Sequence, residues 1–324
     1  MMIKAGLREF LWMIAGAVIF LAVSLLVIHF QPKQSPAEQL AFRAERLDLV
    51  SQIRLNLTSA SEAEKRAVMA ITDQDSKNFA DQSRLATLEV DRERKKLLDL
   101  LTAGGTRKEK NIIAQFSKDF TELQNIDNVL LALAIKNTNI KAYSLAFGPA
   151  ADALKEMDNN LSKLVEKSAG SSEAENIALL SFGAQTAALR IQALLAPHIA
   201  EESDRKMDVM EALMSGEDKK VRKNLADLKL LPRFQGDSDL EKALADYNQF
   251  SEVRAHILAL SRENTNVRSL SMSLGQKRNV FLICQDALSS LQQAIQEEPL
   301  AGSNYEGPLN PRPVYNVKSA QTAR

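Results

Sequence analysis

The chain has 324 residues, with 41 basic residues against 41 acidic ones, three histidines and one cysteine. The balanced charge gives no electrostatic footprint for nucleic acid, and a single cysteine excludes an internal disulfide. Aromatic residues at 5%, with only 12 glycines and 9 prolines, suit helices rather than sheets, so the composition predicts an all-α protein with room for two domains.

Residues 1–9 form a short tail carrying Lys4 and Arg8, and Phe10 to Phe30 follows as 21 residues without a Lys, Arg, Asp or Glu. As a helix this run spans roughly 30 Å, the thickness of a bilayer core. It reads as an uncleaved transmembrane anchor. A cleaved signal peptide is the alternative, although the loosely suitable site at Ser35-Pro-Ala37 lies well past the apolar run. Lys4 and Arg8 favour a cytoplasmic amino terminus, which places the remaining chain outside the cytoplasm.

Pro32 and Pro36 mark a joint, after which a helix is predicted from about Ala37 to Ala70 and another from about Thr72 to Leu101, stopped by Gly104-Gly105. Thr106 with Glu109, Ser172 with Glu175 and Ser238 with Glu241 have the spacing of capping boxes and mark three further helix starts. The apolar pattern of residues 113–165 then returns at an offset of 264 − 137 = 127. Ile113, Phe116, Phe120, Leu123 and Leu130 fall on Leu240, Ala243, Tyr247, Phe250 and Ile257, while Leu154, Met157, Leu161 and Leu164 fall on Phe281, Cys284, Leu288 and Leu291. Shared core positions under divergent surfaces indicate a duplicated unit. The expected architecture is therefore one membrane helix and two tandem antiparallel four-helix bundles, at 37–168 and 172–298, with heptad-like packing. Residues 299–324 hold Pro299, Pro308, Pro311 and Pro313 with several Gly and Asn, and read as a disordered tail in which Tyr305 and Tyr315 offer anchors for a partner.

Candidate chemistry is sparse. Asn137-Thr138-Asn139 and Asn264-Thr265-Asn266 recur at the step from the third to the fourth helix of each copy. They fit helix caps or a register-fixing polar layer, with a polar ligand pocket as the functional alternative. His198 with Glu201 or Glu202 is a poor metal set, no Glu-x-x-His suits a di-iron site, and no Cys-x-x-Cys-His attaches haem. Cys284 aligns with a core position and reads as a buried small hydrophobe. Two basic clusters, Arg92 to Lys96 and Lys219 to Lys223, are interspersed with acids and read as solvated helix faces. No cofactor, metal or catalytic role is expected.

Residues 137–148 (NTNIKAYSLAFG) and 191–204 (IQALLAPHIAEESD) resemble the four-helix-bundle sensor domains of methyl-accepting chemotaxis receptors, and the membrane helix leading into the first bundle fits the same pattern. The resemblance covers roughly residues 10–297, shows the bundle twice, and extends to no cytoplasmic signalling region. It implies a single-pass protein of a bacterial inner membrane, its bulk in the periplasm, sensing a small ligand or a protein partner and acting through protein contacts. Homodimerisation through bundle helices is implied as well. A structural envelope spacer or scaffold without a small ligand is the alternative.

Overall fold

The computed structural model describes residues 35–299; the expected anchor at 10–30 and residues 300–324 of the expected tail lie outside them. Among the described residues all regular structure is helical. The elements are α1 (Pro36–Met69), α2 (Asp73–Gly104), α3 (Arg107–Ala134), α4 (Thr138–Phe147), α5 (Pro149–Ser168), α6 (Ala174–Ala200), α7 (Asp204–Leu230), a 3₁₀ turn (Pro232–Phe234), α8 (Ser238–Glu263), α9 (Thr265–Met272), a π-helical turn (Ser273–Lys277) and α10 (Arg278–Glu297).

Helix ends follow local chemistry. Thr106 accepts from the Glu109 N–H while the Glu109 carboxylate accepts from the Thr106 N–H, so both halves of the predicted capping box form. Gly105 closes α2 by donating to the Leu101 carbonyl, at a turn so tight that a Cβ would stand 2.7 Å from that oxygen. The other two expected boxes do not form. Asp237, one residue before Ser238, accepts from the N–H groups of Asp239 and Leu240, because a carboxylate is the stronger acceptor for orphan donors. At Ser172 the chain passes through a turn instead, and α6 begins at Ala174 without a side-chain cap.

Both copies depart from α-helical hydrogen bonding at the same repeat position of the fourth helix, the first by a break and the second by a π turn. Pro149 lacks an N–H, so the ladder stops at Gly148 (φ −108°, ψ −103°) and α5 restarts behind it. At the equivalent Gly275 no proline follows, and the helix runs on through the π turn.

Contacts divide the described chain into a central unit, residues 49–291, and a flanking one made of the stretches before 49 and after 291. In the flanking unit, buried Arg46 lies over the Phe42 ring and donates to the Glu298 carboxylate at 2.6 Å.

In the central unit the fourth segments are exchanged. One apolar core joins Ala142 and Ala146 of α4 and Leu154, Met157, Leu161 and Leu164 of α5 to α6, α7 and α8, through Ile191, Leu225, Tyr247 and Phe250 among others. The reciprocal placement holds for the second copy. Lys277 of the π turn reaches Glu64 of α1 and Asp127 of α3, and in α10 Gln285 donates to Thr58 and Ser289 accepts from Arg54. The division at 37–168 and 172–298 therefore does not separate packing partners, because the segment 138–168 packs with 174–263 and the segment 265–291 with α1 and α3. Periodicity identifies a buried face but not the copy that covers it.

Charge explains the choice. The 127-residue offset places Ala150 at the position of Lys277, Ile191 at that of Glu64 and Arg254 at that of Asp127. If each copy closed on its own fourth segment, Glu64 and Asp127 would face Ala150, and Lys277 would face Ile191 and Arg254. That arrangement buries two uncompensated carboxylates and sets two cations together. Exchange pairs the charges instead.

Candidate functional site

The two Asn-Thr-Asn segments, 127 residues apart in sequence, meet in the structure. Asn137 and Asn264 both adopt left-handed backbone (φ 52° and 53°), a region that asparagine tolerates better than other side-chain-bearing residues. This turn aims α4 and α9 at each other's N-termini. The Thr138 N–H donates to Thr265 Oγ1 and the Thr265 N–H to Thr138 Oγ1, each at 3.2 Å. The Asn139 N–H donates to Asn266 Oδ1 at 3.2 Å and the Asn266 N–H to Asn139 Oδ1 at 3.1 Å. Each helix thus has its first free donors satisfied by side chains of the other copy.

The amides are engaged at both ends. Asn139 donates to the Ile199 carbonyl and to Asn264 Oδ1, Asn266 donates to Asn137 Oδ1, Asn264 to the Glu201 carbonyl and Asn137 to Asp73. All six candidate residues come together, then, as a self-satisfied polar knot, in which Thr138, Asn139, Thr265 and Asn266 cap the opposite helix while Asn137 and Asn264 make no cap bond and tie the turns to Asp73 and to the Glu201 carbonyl.

Beside the knot is a network that the sequence did not indicate. Fully buried His198 has Nδ1 2.8 Å from Ser261 Oγ and Nε2 2.9 Å from Glu211 Oε1, and Arg262 donates to the same Glu211 oxygen at 2.7 Å. The Arg262 guanidinium, followed by the imidazole, holds the Glu211 carboxyl below its usual range. The order Ser–His–Glu resembles a hydrolase triad, but Ser261 is fully buried and its hydroxyl donates to the His198 carbonyl, so its proton is directed away from the imidazole. The cluster ties the α6–α7 corner to α8.

A buried ionic cluster lies at the π turn. Lys277 Nζ stands 2.6 Å from Glu64 Oε2 and 3.2 Å from Asp127 Oδ1, with the lysine and both carboxylates buried. Glu64 Oε1 has no donor among the described residues. Burial pushes the Asp127 carboxyl up to about 6, against the opposing pull of Lys277. A group whose folded pKa is raised stabilises the fold below its unfolded pKa, and that contribution is lost as pH rises through the folded value. Raising the pH from 4 to 7 should therefore remove about 2 kcal/mol of Asp127-linked stability. Urea midpoints measured across that range should show this component in the wild type and not in Asp127→Asn; equal pH profiles would refute it.

Two cavities occupy equivalent places in the duplicated fold. The first, of about 310 Å³, lies between α1 (Ser61, Glu64, Lys65) and the π turn with α10 (Ser273, Lys277, Arg278, Phe281, Leu282). The second, of about 290 Å³, lies between α5 (Ala151, Leu154, Lys155, Met157) and α6 (Gln185, Ala188, Leu189, Gln192). Ser61 corresponds to Ala188, Lys65 to Gln192, Arg278 to Ala151 and Phe281 to Leu154, each 127 residues apart. Each groove sits where a first helix meets an exchanged fourth segment, so neither could be placed from the sequence before the exchange was known.

The remaining expectations fall on ordinary structure. Cys284 is fully buried, and desolvation pushes its thiol up to about 12. In the basic clusters Arg94 and Lys95 pair with Asp91, Lys220 with Glu217 and Arg222 with Asp218, as a solvated helix face would. Among the described residues no group of three or more His, Cys, Asp and Glu side chains is arranged to hold a metal. One described helix, α6, is long and apolar enough to cross a membrane, with a third of its most apolar stretch buried. Its inner face supplies Ile177, Ala184, Ile191 and Leu195 to the core. Comparison with protein-family models, curated proteins and solved structures finds no match to this chain.

Proposed function

We propose that the protein is a receptor-like sensor module, anchored in a bacterial inner membrane by residues 10–30 and exposing two four-helix bundles with exchanged fourth helices to the periplasm. It binds a small ligand in the grooves between first and fourth helices and acts through protein contacts. The observation that carries this reading is the recurrence of a groove at one repeat position in both copies, with different lining in each. A packing defect has no reason to be kept twice, whereas a binding cleft between helices does. The exchanged fourth segments and the knot give such a ligand a route to act on both cores at once, since a shift in one fourth segment moves the caps of the other.

A second reading, a scaffold without a small ligand, draws on the outer face of α6. Leu179, Phe182 and Leu189 are 71%, 55% and 57% exposed there, and two of their counterparts in the first copy are Gln52 and Glu62. An apolar stripe of this kind suits association.

Thermal unfolding of the full-length protein in lipid nanodiscs, screened against organic acids, amines and neutral aromatics, separates the two. The sensor reading expects a dose-dependent rise in midpoint, because a ligand of the folded state stabilises it by mass action. No shift with any compound, together with a stable assembly by light scattering that Leu179→Ser and Phe182→Ser dissociate, would favour the scaffold.

A further inference from the structure

We propose that the two grooves are sites of different charge preference. The groove bearing Lys65 and Arg278 takes a small carboxylate with an apolar body, and the groove bearing Gln192 and Ala151 takes an uncharged apolar molecule. This rests on the reading of the grooves as ligand sites and adds the chemical class that each accepts.

In the first groove Lys277 is held by Glu64 at 2.6 Å and by Asp127 at 3.2 Å, so its ammonium is already taken up by two carboxylates. Lys65 and Arg278, on α1 and α10, are exposed and form no ion pair with a described carboxylate, so with the one excess negative charge of the Glu64–Asp127–Lys277 cluster the groove keeps a net positive charge beside the apolar surface of Phe281 and Leu282. An amphiphilic acid matches both features, its carboxylate meeting the cations and its body the apolar wall.

The internal duplication supplies the control. At the same two positions the second copy carries Gln192 and Ala151, so helix packing at this place does not require cations. The second groove has Leu154, Met157 and Ala188 on its walls, and its two ionic residues, Lys155 and Asp158, bring its formal charge to zero without pairing with each other. Gln185, only 9% exposed, spends its amide nitrogen on the Asp158 carbonyl at 3.3 Å and leaves its side-chain oxygen to accept one N–H or O–H. A carboxylate there would lose water and meet Asp158 as well as Lys155, with no net positive charge to offset the loss, whereas a neutral molecule loses little.

The test uses two probes of one shape, 3-phenylpropionate and 3-phenylpropanamide, titrated by calorimetry into the full-length protein in nanodiscs. Residues are then swapped between the copies. Lys65→Gln with Arg278→Ala is expected to weaken propionate binding about tenfold, equivalent to about 1.4 kcal/mol, and to leave amide binding at the second groove unchanged. Ala151→Arg with Gln192→Lys is expected to create a second propionate site and to weaken the amide. Lys65 and Arg278 are exposed and Ala151 and Gln192 half-buried, and each exchange installs the residue that the other copy carries at that place. Propionate binding that survives Lys65→Gln with Arg278→Ala would overturn the charge assignment while leaving the grooves as sites. Binding of neither probe to the wild type would overturn both.

Discussion

Separately produced halves, residues 35–170 and 171–299, should each fail to form a stable monomer and should assemble one-to-one when mixed. In the exchanged arrangement the first half contributes α4 and α5 to a core otherwise built from α6, α7 and α8. Alone, it leaves Leu154, Met157, Leu161 and Leu164 without that core, and each such side chain is worth ~1.5–3 kcal/mol of burial. Nor should either half pair well with itself. Two copies of the first half would set Glu64 and Asp127 against Ala150, and two copies of the second would set Lys277 against Arg254. Circular dichroism melts of each half and of the mixture, with mass by light scattering, give the answer. Two halves that melt cooperatively as monomers would mean that each copy closes on its own fourth segment.

Lys277→Met is the single substitution expected to destabilise the central unit most, by about 3–5 kcal/mol. The loss follows from what remains: Glu64 is fully buried, Asp127 nearly so, and without the ammonium neither carboxylate has a counter-charge within the core. The triple variant Glu64→Leu, Asp127→Leu, Lys277→Met should recover most of that loss. It replaces an ionic cluster by apolar groups of similar volume, and the second copy already folds with Ile191 and Ala150 at two of the three positions. Chemical denaturation of the three proteins separates the cases. A triple variant as unstable as Lys277→Met would show that the cluster is an intrinsic requirement of the fold. Recovery would show instead that the charges specify which fourth segment enters which core.

Much of this molecule was legible before its fold was known. Helical composition, the glycine pair at 104–105, the Thr106–Glu109 box and the apolar stripes depend on interactions within about one or two turns, and these the chain states directly. The repeat was legible too, because packing preserves apolar positions whether or not surfaces diverge: Ile113 and Leu240, or Leu161 and Leu288, are all buried. Two capping boxes were misread for a local reason, a neighbouring carboxylate at Asp237 and a turn at Ser172, each of which changes which residue meets the free N–H groups.

The partner of each face was decided only in three dimensions. Both fourth segments carry the same apolar spacing, so either could cover either core, and no period in the sequence distinguishes the two closures. The difference resides in three charged positions on three separate segments, Glu64, Asp127 and Lys277, whose complementarity has meaning only once they are neighbours. The Asn-Thr-Asn segments behave in the same way. Each alone reads as a local cap, yet their donors and acceptors are matched across 127 residues, and the grooves exist only where an exchanged segment meets its new partner. Local chemistry fixes the helices; long-range charge and reciprocal capping select their assembly.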